Sequence, residues 1–403
     1  MINRRGLIDK YHWIILSTLW VAVHVLLFTH YGIRNPYDTI DYIQHADSLN
    51  QSGRFSDIEH IFYAVPIIII AAFRWLFPEQ ILPFLIFQCI ISGISVVALY
   101  KASVKVFDNR SAGLFSCLLF LLWWDYIHWN TTAMTESLAC SFTIFTLYFL
   151  VFFRGSWKDF CKLSLPLILL FFTRPTAIII ILGVLVFMLN YFWNFIKSKP
   201  VWKLLIVTGL ICIIFLSAYV MSTYWDFTEQ YAKGNIITYA DIVEGGPLYN
   251  EHLKILPYDL QVADAHEAPM KRMLLFIVYN PVFFLKLAVW KVWFLMSSVR
   301  PYYSFLHNAY SLTWVLGIYT LYFLGWKRTE EKSVKIFTLA VIVANCGLIA
   351  ISSVDWDNRF YILMEPGLVL LAGGGAASIW QSLKKTLLNS SLTSALNHYK
   401  NAK

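Results

Sequence analysis

Two acidic residues and a histidine stand close together in a polar stretch near the start of the chain. Asp38, Asp41 and His45 are spaced at i, i+3 and i+7, which on a helix places them on one face. A carboxylate held in this way can act as a general base on a substrate hydroxyl. The structural alternative is that Asp38 caps the helix and Asp41 stabilises its first turn, and that the helix ends at Gly53. For Asp38 we favour capping.

Four further charged residues stand beside or within apolar runs: Glu136, Arg174, Lys291 and Arg359. An arginine in such a place is costly in a bilayer and is a functional hypothesis by default. Its guanidinium suits phosphate because it can bind two oxygens at once. The structural alternatives are an Arg174 that pairs between helices, an Arg359 that reaches the interface, and a Glu136 that favours a helix start.

The elements that carry these residues are predicted to be membrane helices. The chain is 58% hydrophobic and only 14% charged, whereas a soluble domain averages about 25% charged residues. Its apolar runs are long and continuous, and roughly 20 such residues cross a bilayer as a helix. The fold class is therefore all-α, a polytopic membrane protein with about ten spans: near 12–31, 80–104, 111–129, 132–153, 162–174, 176–196, 202–224, 304–325, 334–352 and 361–382.

The charges divide between the two sides of this arrangement. Six segments carry 20 of the 32 Lys and Arg residues but only five of the 24 acidic ones: 1–12, 101–110, 154–162, 197–203, 327–335 and 383–403. The excess of Lys and Arg in cytoplasmic loops predicts that both termini are cytoplasmic and that the acidic loops lie outside. The start of the chain is interpreted as a retained signal anchor. We expect a plasma (inner) membrane protein.

Two long external segments follow from this topology, within a single integral-membrane domain over 1–403. The first, 32–79, ends in an apolar stretch, 61–77, which must lie in the interface, because a crossing there would invert every later loop. The second, 225–303, ends in an aromatic-rich run, 273–298, which is interrupted by Lys286 and Lys291 and is also predicted to be interfacial.

Metal and nucleic-acid binding are not favoured by the sequence. The six cysteines lie in or beside apolar segments and form no CxxC pair, so neither a disulfide nor a zinc site is indicated. No cofactor is firmly predicted and no residue is assigned to a metal, although four loop histidines with nearby acids can bind a divalent ion: His45, His60, His252 and His266. The net charge of +8 reflects membrane sidedness, so we expect no nucleic-acid partner.

The first external segment carries a family resemblance. It contains Asp41-x-x-x-His45-Ala46-x-x-Leu49-x-x-x-Gly53. This pattern resembles the first external helix of GT-C integral-membrane glycosyltransferases, the class of protein mannosyltransferases and aminoarabinose transferases. The family has Tyr where this chain has His45, and its spacing from that residue to the alanine is two residues longer. The resemblance implies that Asp41 is the catalytic base, and for this reason we favour Asp41 over Asp38.

Three later patches match the same family in order and on the same predicted side. Thr135-Glu136-Ser137-Leu138 resembles the Thr/Ser-Glu element, Thr173-Arg174-Pro175 the Leu-Thr-Arg-Pro element, and Arg359-Phe360-Tyr361 the final Arg-Tyr/Phe element. Tyr63-Ala-Val-Pro66 matches the family's Tyr-Pro-Pro element only in part. The resemblance covers nearly the whole chain and implies a sugar donor on a polyprenyl phosphate.

The expected activity is an inverting sugar transfer to a membrane-associated or envelope acceptor on the extracytoplasmic side. Asp41 would be the base with Asp38 in reserve, and the donor phosphate would bind to Arg174, Arg359 and Lys291. Glu136, His45 and Tyr63 would contact substrate, and membrane lipids would surround the chain. Three alternatives remain open at this stage: a polysaccharide polymerase or ligase, a lipid-linked sugar transporter or flippase, and a scaffold.

Overall fold

The computed structural model describes residues 7–55, 58–193, 208–209, 227–238, 240 and 251–401. Within these residues the secondary structure is helical, with isolated β-bridges and no strand. The all-α class is thus confirmed. The main helices are α1 (Leu7–Tyr31), α2 (Tyr37–Ser52), α3 (Ala64–Leu76), α4 (Leu82–Phe107), α5 (Arg110–Leu121), α6 (Glu136–Val151), α7 (Trp157–Phe171), α8 (Ile178–Tyr191), α9 (Phe227–Ala232), α10 (Pro269–Tyr279), α11 (Pro281–Ser297), α12 (Phe305–Arg328), α13 (Lys332–Ile351) and α14 (Glu365–Asn401).

Several of these helices can cross a membrane. By length and apolarity, α1, α4 and α13 each qualify alone within the described part of the chain. Two bent pairs qualify together: α5 with the short helical segment Trp124–Thr131, and α10 with α11, whose axes differ by 65° and 107°. The protein is therefore a polytopic membrane protein. Of the span predicted near 202–224, the structure describes only residues 208–209, so this prediction lies almost wholly outside the described residues.

The centre of the bundle depends on very close helix approaches around α14. A β-carbon added at Gly375 would lie 2.0 Å from the carbonyl oxygen of Leu321 on α12, and one at Gly325 would lie 1.8 Å from that of Leu371 on α14. On the other side of α14, one at Gly373 would lie 2.0 Å from the hydroxyl of Ser116 on α5. Small residues allow such backbone contact, which stabilises helices in lipid where apolar burial adds little.

The connecting segments collect at two ends of the bundle. At one end the backbone N–H of Arg34 donates to the carbonyl of Thr131 (3.1 Å), which joins the segments after α1 and after α5. At the other end the Thr329 hydroxyl donates to the carbonyl of Val106 (3.4 Å), which joins two of the basic segments. The predicted external segments thus meet each other at one end.

The helix predicted around Asp38–Gly53 is present, but Asp38 does not cap it. α2 begins at Tyr37, directly after Pro36, and no side chain caps its first turn. Asp38 lies inside the helix, and its carboxylate contacts Arg359 instead, so the capping role favoured above was wrong. Gly53 does end the helix, at φ 68°, and its N–H donates to Leu49.

The close approach at Gly325 predicts a difference between two glycines of α12. Gly325→Ala should lower the thermal unfolding temperature of the detergent-purified protein, because the new methyl group collides with backbone rather than with a movable side chain. Gly317→Ala on the same helix should leave it unchanged or slightly raised, since nothing lies within 4 Å of that position. Equal temperatures for the two variants would contradict the proposed close packing.

Candidate active site

A cavity of about 460 Å³ opens where the predicted external segments meet. We call it the arginine cavity, because Arg174 and Arg359 both line it. Its other walls come from six parts of the chain, among them α2, the segment before α3 and the end of α13: Asp38, Tyr42, Tyr63, Thr135, Pro175, Thr176, Phe227, Gln230, Thr238, Leu348, Ile349, Ser352, Ser353 and Phe360. Residues far apart in the sequence therefore form one site.

A single buried carboxylate holds the two arginines together. Glu136 is fully buried at the first position of α6, and its Oε1 accepts from Arg174 Nη1 (2.9 Å) and Arg359 Nε (2.5 Å). Arg174 is also buried, whereas the side chain of Arg359 is 24% exposed. Charge-assisted bonds of this kind are short and strong. Both guanidiniums are thereby fixed beside the same space.

The local sequence fixes each arginine. Arg174 has an extended backbone (φ −160°, ψ 130°), as expected for a residue before proline, and it connects α7 to the turn that starts α8. Arg359 opens a short 3₁₀ turn after Asn358, which is left-handed at φ 60°. The carboxylate of Asp355 accepts the backbone N–H groups of Arg359 and Phe360, which secures this turn.

Asp38 completes the charged lining. Its Oδ2 accepts from Arg359 Nη1 at 2.7 Å, and its side chain remains 42% exposed. Burial acts to lower the pKa of Arg359, but the carboxylates of Glu136 and Asp38 raise it well above its ordinary value. Arg359 is therefore a permanent cation between two carboxylates, one buried and one facing the cavity.

Two tyrosines provide neutral polar groups in the same wall. Tyr42 on α2 and Tyr63 before α3 lie with ring centroids 5.6 Å apart. Burial raises the pKa of both phenols, so both stay protonated in the physiological range. Their hydroxyl groups can therefore donate hydrogen bonds to a ligand in the cavity.

Four of the residues predicted from sequence do not line the cavity: Asp41, His45, Lys291 and Glu136, the last of which holds the two arginines from behind the wall. Asp41 is exposed on α2, about 100° around the helix from Tyr42. Tyr42 belongs to the buried side of this helix, together with Thr39 and Ala46. His45 lies on the same flank as Asp41 and packs against His60, with ring centroids 3.5 Å apart.

Lys291 lies behind the cavity wall. Its side chain is fully buried on α11, where Nζ donates to the carbonyl of Ser352 (2.5 Å) and sits 3.5 Å from the ring centre of Tyr231. Ser352 lines the cavity, but Lys291 does not. The lysine therefore supports the wall and has no direct path to a ligand.

Sequence reasoning missed the neutral polar part of the lining. Gln230, Thr238 and the pair Ser352–Ser353 contribute to the cavity, but nothing in their local pattern marks them. A fully buried arginine, Arg300, was also missed, although its position after an apolar run and before Pro301 is the kind of signal that identified Arg174.

A metal site is not evident in the part of the chain that the structure describes. No three His, Cys, Asp or Glu side chains are grouped there so that they could hold an ion. The charged residues of the arginine cavity are committed to one another, and the cationic ones would repel a divalent ion. The possibility of a divalent metal remains a prediction.

Part of the chain matches a family of known proteins. Residues 65–219 match the model of a family described as dolichyl-phosphate-mannose-protein mannosyltransferase, which supports the resemblance to GT-C glycosyltransferases. The matched range includes Glu136 and Arg174, whereas Asp38 and Arg359 lie outside it. No curated protein and no solved structure gives a significant match to the chain.

The double role of Glu136 predicts a large loss of stability when its charge is removed. Glu136→Gln should cost about 3–5 kcal/mol, because two buried or half-buried guanidiniums lose their shared counter-charge. Glu267→Gln is the matched control: its exposed i,i+4 pair with Lys271 should contribute less than about 1 kcal/mol. The measurement is thermal or denaturant unfolding in detergent, and similar losses in the two variants would contradict the central role of Glu136.

Proposed function

We propose that this chain, which the family match supports as a GT-C-type glycosyltransferase, moves a sugar from a polyprenyl phosphate to an acceptor hydroxyl. The observation that carries the proposal is the lining of the arginine cavity. Two guanidiniums and one partly exposed carboxylate, from Arg174, Arg359 and Asp38, face a single space of about 460 Å³. A phosphate and a hydroxyl acceptor need these groups side by side.

The arginines would bind the donor phosphate. Arg359 donates to Asp38 through Nη1 and to Glu136 through Nε. An incoming phosphate can replace Asp38 on Arg359, because it offers a second set of anionic oxygens to a planar donor. Arg174, held by the same Glu136, would bind another oxygen of the phosphate. Fixed cations would then stabilise the charge that develops as the phosphate leaves.

Asp38 is the base that the geometry favours. Once the phosphate takes its place on Arg359, the carboxylate of Asp38 is free to accept the proton of an acceptor hydroxyl. The acceptor oxygen bonds to the anomeric carbon while the bond from that carbon to the phosphate oxygen breaks. The electron pair of that bond leaves with the polyprenyl phosphate. A single displacement inverts the configuration at the anomeric carbon.

The sidedness of the site is part of the proposal. The lining comes from segments that hold the acidic excess, and the basic segments joined near Thr329 lie at the other end of the bundle. By the distribution of Lys and Arg, the cavity would face the extracytoplasmic side of the plasma membrane, with both termini in the cytoplasm. The whole chain would act as one membrane domain.

A pair of substitutions on α2 tests the base. Asp38→Asn should lower kcat by about 10²- to 10⁴-fold, the usual contribution of a general base. The affinity for the donor should not fall, because the carboxylate that competes with phosphate for Arg359 is gone. Asp41→Asn, three residues further on the same helix, should keep most of the activity. The assay follows release of free carrier from polyprenyl-phosphate sugars by the purified protein.

Each alternative gives a different result in this assay. If Asp41→Asn abolishes turnover while Asp38→Asn does not, the base is Asp41, as the family pattern implies. Transport of a lipid-linked sugar across liposomes without any turnover would favour the flippase reading instead.

A second prediction separates donor binding from chemistry. Arg174→Gln should weaken binding of the donor at least tenfold, because it removes one of the two guanidiniums from the cavity while Gln keeps a neutral polar contact for Glu136. Treatment of the wild type with a chelator should leave turnover unchanged if phosphate is held by arginine alone. Loss of turnover that is restored by Mg²⁺ or Mn²⁺ would show that a divalent ion shares this role.

A further inference from the structure

A second cavity, of about 600 Å³, lies beside α11. Its walls include three cationic side chains, Lys254, Lys286 and Arg300, together with His252 and the two indole rings of Trp290 and Trp293. Among the residues that the structure describes, no acidic one lines it. We call it the lysine–tryptophan cavity. It is separate from the arginine cavity, and the family resemblance assigns no role to its residues.

The charge of this cavity is opposite to that of its surroundings. Outside the six basic segments, the chain holds 19 acidic and 12 basic residues. The charged residues that the structure describes in the wall of this cavity are cationic, so they concentrate positive charge locally. Such walls attract an anion, since a concave surface with charges of one sign focuses the electrostatic field.

Arg300 adds a buried positive charge to the wall of this cavity. It is fully buried, and it donates from Nη1 to the carbonyls of Phe294 and Val299 (2.8 Å each) and from Nε to that of Asp355 (3.2 Å). Its Nη2 makes no hydrogen bond within the described residues and lies 3.7 Å from the carboxylate of Asp355. That carboxylate also accepts from the Arg359 backbone, so the charge of Arg300 is only partly neutralised.

The outer side of the cavity has the features of a membrane interface. Trp290 and Trp293 are 44% and 52% exposed, and indole rings concentrate at the level of lipid head groups. On the same helix, Leu285 and Val289 are exposed as well. α10 and α11 meet at a 107° bend, so the pair does not form one straight span. A ligand that combines an anionic head with an apolar tail fits this combination.

The two cavities are neighbours. Ile236 lines the lysine–tryptophan cavity and Thr238 lines the arginine cavity. Two residues of chain reach at most about 7 Å. This segment is fixed to the residues that follow α13: the N–H of Val354 donates to the carbonyl of Ile236 (3.2 Å), and the carbonyl of Val354 accepts from the N–H of Thr238 (2.8 Å). A molecule with its anionic group in one cavity can therefore reach the other.

We propose that the lysine–tryptophan cavity binds the phosphate-bearing head group of a membrane amphiphile, and that this amphiphile is the sugar acceptor. The binding of the anion follows from the cavity itself. The acceptor role rests on the proposed function, and it follows from the short distance to the arginine cavity, where the acceptor hydroxyl must meet Asp38.

Binding is tested with dodecyl phosphate on the full chain in maltoside micelles, with bound molecules counted by native mass spectrometry. We expect two bound molecules in the wild type, one per cavity. Lys254→Gln with Lys286→Gln should weaken one of the two sites at least tenfold. Arg174→Gln should weaken the other one. Lys271→Gln, on α10 and outside the cavity, removes the same charge from the same region and should leave both sites intact.

Two results of this experiment would overturn the binding site. One is unchanged binding of dodecyl phosphate in the double lysine variant. The other is inorganic phosphate binding as tightly as dodecyl phosphate, which would make the ligand a soluble anion. If the wild type binds one molecule, lost only in the lysine variant, the donor site of the proposed function fails while the lysine–tryptophan cavity stands.

The acceptor class is tested by transfer from a labelled polyprenyl-phosphate sugar in the presence of a membrane lipid extract. Mild acid then cleaves unreacted donor, and the label should remain on an anion-exchange resin with an acidic lipid. The double lysine variant should lower this transfer at least tenfold. Label in neutral lipid or protein would overturn the acceptor assignment. If no transfer occurs at all, both the acceptor assignment and the proposed function are wrong. The binding of dodecyl phosphate would still test whether the lysine–tryptophan cavity is an anion site.

Discussion

The carboxylate of Glu136 is the counter-charge on which both cavity arginines depend. It is fully buried at the start of α6, and it receives hydrogen bonds from Arg174 and Arg359 at one oxygen. A helix N-terminus favours a carboxylate, because the first backbone N–H groups carry partial positive charge. Without this anion, two guanidiniums would face each other in a medium of low dielectric constant, and their repulsion would separate them. The shape and the charge of the cavity therefore both follow from one residue.

The charged groups of the arginine cavity are paired with one another, and this affects how the cavity can work. Arg359 is bonded to Asp38 as well as to Glu136, so its charge is neutralised by groups of the protein itself. A phosphate would then exchange one carboxylate for another anion and would not create a new buried charge. Groups that are fixed before the substrate arrives need little reorganisation during the reaction.

The sequence was sufficient for the residues whose surroundings are decided by the chain next to them. Glu136, Arg174 and Arg359 each adjoin apolar runs, and a charge in such a place is costly unless it has a partner. The neighbouring sequence therefore predicts that each of them needs a partner. It does not identify the partner itself. Asp38 and Asp41 differ by three residues, about 60° around a helix, and only packing of Thr39, Tyr42 and Ala46 decides which of them faces Arg359.

The same limit explains the other differences. α2 begins at Tyr37, directly after Pro36, so Asp38, which resembles a cap in the sequence, lies in the first turn. Lys291 and Arg300 carry similar signals in the sequence, yet Lys291 bonds inward to Ser352 and Arg300 lines a cavity. The direction of each side chain depends on contacts with segments more than fifty residues away. Such contacts cannot be predicted from a single sequence.

The pairing of charges also bears on the order in which the chain enters the membrane. Synthesis proceeds from the N-terminus, so Glu136 and Arg174 are inserted well before Arg359 exists. These two can meet first as a neutral pair, which lowers the cost of placing each of them in an apolar environment. Asp38 meanwhile stays partly in contact with water. Arg359 is synthesised just before α14, so the site can be assembled only after α1 to α13 have been made.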